Sequence, residues 1–141
     1  MSEAVLLYTF ADVCASESET EEEGNVSFIL QIKCYVDEHF TDPHLSLYSV
    51  AEQFGYSSKY LSEHFKKTVK IGFSSYLTNL RIEHAKKLIH DGMRNVSEIS
   101  RFCGFRDPLY FSKVFKRLVG SAPKACVIKE LSLRSYKKKG G

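Results

Sequence analysis

An all-α fold, two helix-turn-helix subdomains joined by a long central helix, is what three observations on this 141-residue chain predict. Apolar residues recur at helical spacing along the body. No segment alternates with period two over a useful length. One small helical unit occurs twice, as GYSSKYLSEHFKK at 55–67 and as GFRDPLYFSKVFKR at 104–117.

The elements follow in order. Phe28, Ile29, Ile32, Tyr35, Val36 and Phe40 form one stripe from Asn25 onward, and Pro43 stops that helix because it disfavours helical geometry at Asp42. Ser46 caps a short helix bearing Leu47, Val50, Ala51 and Phe54, and Gly55 ends it in a left-handed turn. Ser57 caps a third helix with Leu61 and Phe65 inward. A long helix runs from about Phe73 to Ile89, with an expected stripe of Phe73, Tyr76, Leu77, Leu80, His84 or Ala85, and Leu88, closed by Asp91-Gly92. Asn95 with Glu98 three residues on caps a fifth helix carrying Val96, Ile99 and Cys103. Asp107 caps the sixth, whose first residue is Pro108. There Phe111, Val114, Phe115 and Leu118 are expected inward.

The repeat has a physical reading. With Leu61 and Phe65 buried, Lys59, Ser62, Glu63 and Lys66 share one exposed face; in the second unit Leu109, Ser112, Lys113 and Lys116 share another at the same spacing. Two such faces suit two entries into a major groove, which admits an α-helix. A linking helix of about 17 residues is roughly 26 Å long. With packing at its ends, that puts the two recognition helices near the ~34 Å of one DNA turn.

Charge is divided along the chain. Residues 1–23 hold seven acids and no Lys or Arg, which leaves twenty basic against ten acidic groups in the rest, a net of +10. A basic body is the electrostatic footprint of a nucleic-acid binder. The acidic SESETEEEG stretch predicts a disordered N-terminal segment or linker over 1–23, a DNA-binding domain over 24–127 and a basic tail over 128–141. The first helix-turn-helix falls at about 46–68, the linker helix at about 73–89 and the second helix-turn-helix at about 95–118.

Four spaced pieces, SLYSVAEQFGYSSKYLSEHFKK, GFSSYLTNLRIEHAKKLI, VSEISRFCGFRDPLYFSKVFKRLVG and Pro123, resemble the DNA-binding domain of AraC/XylS-type bacterial transcription regulators. The resemblance implies a sequence-specific regulator whose two recognition helices enter successive major grooves of double-stranded DNA. On matched positions it implies that Lys59, Ser62, Glu63, Leu109, Ser112 and Lys113 face the bases. Ser57, Lys66, Lys67, Lys116 and Arg117 then lie nearer the phosphates. RNA polymerase is a further partner of the kind such regulators meet, and an N-terminal sensing domain, common in the family, is missing from so short an acidic stretch. Departures from the family pattern are Lys70 where Gly is usual, Ser100 for a small Ala, and Cys126-Val127 where an aromatic and Arg usually follow SAPK.

Other functions find little footing. No apolar run approaches the ~20 residues of a spanning helix and the N-terminus lacks a secretory pattern, so no membrane partner and a cytoplasmic location are expected. Cys14, Cys34, Cys103 and Cys126 form no C-x-x-C pair, and His39, His44, His64, His84 and His90 form no ligand pattern. No metal, cofactor or catalytic residue is therefore assigned, and no enzyme. The rival readings are a basic helical protein-interaction module without DNA readout, and the DNA-binding part of a larger enzyme or sensor.

Overall fold

The computed structural model describes residues 21–140, with side chains over 24–136. The acidic segment expected at 1–23 thus lies outside the described residues, apart from the backbone of Glu21–Glu23. Among the described residues there are seven helices and no strand: α1 (Glu21–His39), α2 (Leu47–Phe54), α3 (Ser58–Val69), α4 (Phe73–His90), α5 (Val96–Phe102), α6 (Pro108–Val119) and α7 (Pro123–Gly140). The described residues divide into two compact units, residues 21–39 with 46–76, and residues 40–45 with 77–140.

In the first unit α3 packs on α1 and α2. Ile29, Ile32 and Val36 of α1, Val50 and Ala51 of α2, and Leu61 and Phe65 of α3 are buried. Burying side chains of this size stabilises by about 1.5–3 kcal/mol each. Phe65 meets the rings of Phe73 and Tyr76 at 5.3 and 5.6 Å, which seats α3 against the first turn of α4. That turn is tied to α1 in its own right. The Tyr76 hydroxyl donates to Asp37, and Lys33 Nζ lies 3.2 Å from the same carboxylate. Burial, then the Asp37 acceptor, pushes the Tyr76 phenol up to about 12.

The second unit is built around Ile82, Ala85 and Ile89 of α4, Ile99 and Cys103 at α5, Phe105, Phe111, Val114 and Phe115 at α6, and Val127 of α7. α6 packs on both α5 and α7. Cys103 is the small core filler its sequence context suggests, and burial pushes its thiol up to about 12 against the opposing pull of the Arg81 guanidinium.

Three expectations are corrected here. The stripe expected on α4 is only partly the buried one: Phe73 and Leu77 are buried, but the later buried residues are Ile82, Ala85 and Ile89. Ile82 follows Phe73 by nine residues, roughly 180° around a helix of 3.6 residues per turn. α4 therefore buries one face early and another late, and a single stripe could not describe both. Leu118, expected inward, is 45% exposed. In that last turn of α6 the apolar neighbours come from α7 on the side of Val119, which faces Cys126 and Leu133. The stretch expected as a basic tail from 128 continues one helix that starts at Pro123 and runs to Gly140. Pro123 is fully buried at its first turn, and Val127 and Leu131 pack toward the core where the aromatic and Arg of the family pattern are absent.

Candidate nucleic-acid interface

Each unit presents one helix after a tight turn, and local chemistry sets both turns. At the start of α2, Ser46 Oγ accepts from the Ser49 amide at 3.1 Å while Ser49 Oγ accepts from the Ser46 amide at 2.9 Å, a reciprocal capping box. Gly55 then closes α2 at φ 78°. Ser57 Oγ accepts from the Tyr60 amide at 3.1 Å and starts α3. The second unit repeats the logic with other residues. Asn95 Oδ1 accepts from the Glu98 amide at 3.0 Å, Gly104 turns at φ 96°, and Asp107 Oδ1 accepts from the Leu109 amide at 3.0 Å with Pro108 behind it.

The faces expected from spacing are realised on each helix. On α3, Lys59, Glu63 and Lys66 are exposed and Ser62 is half-buried; on α6, Leu109, Lys113 and Lys116 are exposed and Ser112 is half-buried. The correspondence extends to Leu61 with Phe111 and Phe65 with Phe115 as buried anchors. Ser57, Lys67 and Arg117 are also exposed, the first at the N-terminus of α3 and the other two at the helix ends. Leu109 is 75% exposed, an apolar side chain with no intramolecular reason to be there.

Sequence spacing gave no signal for the residues that hold these helices in position. Tyr60 on α3 donates its hydroxyl to Asn25 Oδ1 at 2.8 Å, and its ring stacks with Tyr56 at 5.2 Å. In the second unit Arg81 donates from Nε to the Phe40 carbonyl and from its terminal nitrogen to the Asp42 carbonyl, both at 2.8 Å. Its guanidinium also lies over the Phe105 ring, which contacts Phe111 of α6 at 5.1 Å. Arg81 thus joins the segment 40–42 to the base of α6. Its partners are backbone carbonyls some forty residues away, which leave no pattern in the sequence. Arg106 beside the α6 cap contacts the His44 ring, another pairing invisible to spacing.

The end of α3 resolves the Lys70 departure. The helix stops at Val69, and Lys70 takes the left-handed C-cap at φ 77°, donating its amide to the Lys66 carbonyl. α6 stops in the same way at Gly120, φ 97°. Ser100, the other departure inside the core, is buried with its hydroxyl lacking a hydrogen-bond partner among the described residues.

Two helix-turn-helix units with matched exposed faces define the class of nucleic-acid-binding helix-turn-helix domains. A helix-turn-helix domain model matches residues 50–127. The chain is 37% identical over 120 residues to the HTH-type transcriptional regulator YijO of Escherichia coli K12, covering 85% of this chain and 42% of that protein. It is 35% identical over 89 residues to the arabinose operon regulatory protein of Salmonella typhimurium, covering 63% of this chain and 32% of that one. The C-terminal domain of AraT, a response regulator from Geobacillus stearothermophilus, has the same fold at a TM-score of 0.68 and 32% identity, covering 72% of this chain and 84% of that domain. The chain belongs to the AraC/XylS-type helix-turn-helix family, and it spans less than half the length of these two curated relatives. Among the described residues no helix is long and apolar enough to cross a membrane.

Proposed function

We propose that this chain is the DNA-binding part of a cytoplasmic transcription regulator, non-enzymatic in itself, that inserts α3 and α6 into successive major grooves. The observation that carries the reading is the duplicated exposed face, Lys59, Ser62, Glu63 and Lys66 on α3 and Leu109, Ser112, Lys113 and Lys116 on α6. Lys59, Ser62, Glu63, Leu109, Ser112 and Lys113 read base edges; Leu109 is suited to a thymine methyl and the lysines to guanine. Ser57, Lys66, Lys67, Lys116 and Arg117 grip phosphates and set the register. Ser57 can do so while capping α3, because the cap uses an oxygen lone pair and leaves its O–H to donate. Residues 24–127 form the binding domain, and a sensing domain and RNA polymerase are the further partners the family relationship suggests.

Phosphate gripping makes affinity salt-dependent. Six to ten neutralised phosphates cost about 10³ to 10⁵ in affinity between 50 and 200 mM salt. Fluorescence anisotropy on a random-sequence duplex is expected to give that slope, and a binding constant flat across the range sinks the reading. Selection of bound sites from random duplexes then yields the operator.

A further inference from the structure

We propose that the cavity bounded by the end of α4, the end of α6 and the first half of α7 binds a small phenol, a single neutral aromatic ring bearing one hydroxyl. The cavity measures about 300 Å³, at the lower end of the range for small-molecule pockets. Its apolar lining is Ile89, Phe115, Val119, Cys126 and Leu133. Ile89 and Phe115 are buried whereas Leu133 is 49% exposed, so an apolar floor opens to solvent at the α7 side. At Cys126 the chain carries a short thiol side chain where the family pattern sets an aromatic one, which leaves the volume of a ring unfilled beside α6. Apolar cavities of this kind stay dry and take up aromatic molecules, because their walls lack van der Waals neighbours and offer water no partners.

The rim selects the polar handle. Glu130 lines the cavity and is half-buried, with Oε2 3.3 Å from Arg134 Nε and Oε1 3.6 Å from His90 Nδ1. The second distance is too long for a hydrogen bond, so Oε1 keeps lone pairs with which to accept a ligand O–H. Arg134 also donates to the His90 carbonyl, which fixes the carboxylate between α7 and the end of α4. That carboxylate repels an anionic ring. Lys86 at the same rim is already paired, its Nζ 3.1 Å from Glu83, and Lys129 is exposed to water. Because Phe115 and Val119 belong to α6, a ring seated here braces the second helix-turn-helix from within. Binding requires no DNA, so its test is independent of the reading of α3 and α6.

The test titrates phenol into the full chain without DNA and follows NMR shifts and thermal unfolding. A Kd on the order of 1 mM is expected, within reach of so small a ligand, with methyl shifts concentrated at Ile89, Val119 and Leu133. At about ten times Kd the melting temperature is expected to rise by about 5 °C. Shifts scattered over the surface, or a melting temperature that does not rise, overturn the site. Anisole keeps the ring and the oxygen but cannot donate, and is expected to bind about tenfold more weakly. Equal binding of anisole overturns the Glu130 contact, and benzoate binding tighter than phenol gives the rim to Lys86 and Lys129 and overturns the neutral ligand. Cys126→Tyr places a covalent ring in the cavity and is expected to abolish the phenol shifts. Leu133→Trp narrows the exposed mouth without touching the buried floor, and is expected to weaken phenol severalfold even if Cys126→Tyr does not fold. An unchanged Kd in either folded variant overturns the proposal.

Discussion

Glu63 is an acid in the middle of the face proposed to approach a polyanion, so on charge alone it weakens binding there. On the proposed reading, a carboxylate there accepts from a cytosine amino group. Glu63→Ala is accordingly expected to relax preference at one position of the site by about 1–3 kcal/mol while leaving non-specific affinity equal or slightly stronger. Lys66→Ala, one turn further along α3, is expected to weaken all sequences alike and lower the salt slope by about one unit. Titration of both variants against single-base changes in the selected site checks this. If Glu63→Ala leaves every base preference intact, the reading falls to Lys59 and Ser62. Cys103 makes a different residue-scale prediction. Its thiol is pushed from an ordinary 9.0 up to about 12 by burial, so the folded state holds the proton more tightly than the unfolded one. The stability this contributes is complete below about pH 9 and is lost as pH rises toward 12. Urea unfolding between pH 8 and 11 is expected to show that decline, and Cys103→Ala to flatten it by up to about 1.4 kcal/mol per pH unit. An unchanged slope in the variant shows that the thiol does not couple to folding.

At the scale of elements, the two helix-turn-helix units look alike in sequence but tolerate change differently. A Cβ on Gly55 meets nothing within 4 Å, so Gly55→Ala carries only the left-handed backbone cost of about 1–2 kcal/mol. A Cβ on Gly104 falls 2.7 Å from the Phe40 carbonyl oxygen and 3.0 Å from that of Thr41, backbone that Arg81 holds in place. Gly104→Ala therefore adds a steric cost of about 1–3 kcal/mol to the same backbone cost. Lys70 reverses the sign: it already bears a left-handed strain, and Lys70→Gly is expected to stabilise by about 1 kcal/mol. Chemical denaturation of the three variants ranks them Gly104→Ala below Gly55→Ala below parent below Lys70→Gly. Equal losses at the two glycines would mean that the 40–42 segment yields.

For the molecule as a whole, the division of charge and the duplication of the reading helix make one prediction together. Hydroxyl-radical footprinting on a selected site is expected to protect two adjacent major grooves. Substituting Leu109, Ser112 and Lys113 together by Ala, all on the outer face of α6, should remove one protected patch and spare the other. A footprint unchanged by that triple substitution assigns α6 a structural role. Either outcome leaves the fold intact, because the buried anchors Phe111 and Phe115 are not touched.

Much of this was legible in the chain because it is decided within a few residues. Ser46, Ser57, Asn95 and Asp107 cap their helices through side-chain oxygens that reach amides two or three residues on. Gly55 closes α2 by a backbone conformation that glycine reaches without strain. The spacing of Leu61 and Phe65, and of Phe111 and Phe115, determined which side of each recognition helix is buried and so which side chains remain outside. Where more than one packing partner competes, only the tertiary structure decided. α4 changes its buried face between Leu77 and Ile82, Leu118 yields the inward position to Val119, and α7 stays helical well past Val127. Arg81 likewise finds its acceptors in carbonyls that no local pattern announces. Local chemistry sets where helices begin, end and point; which of their apolar faces is buried depends on neighbours brought together by the rest of the chain.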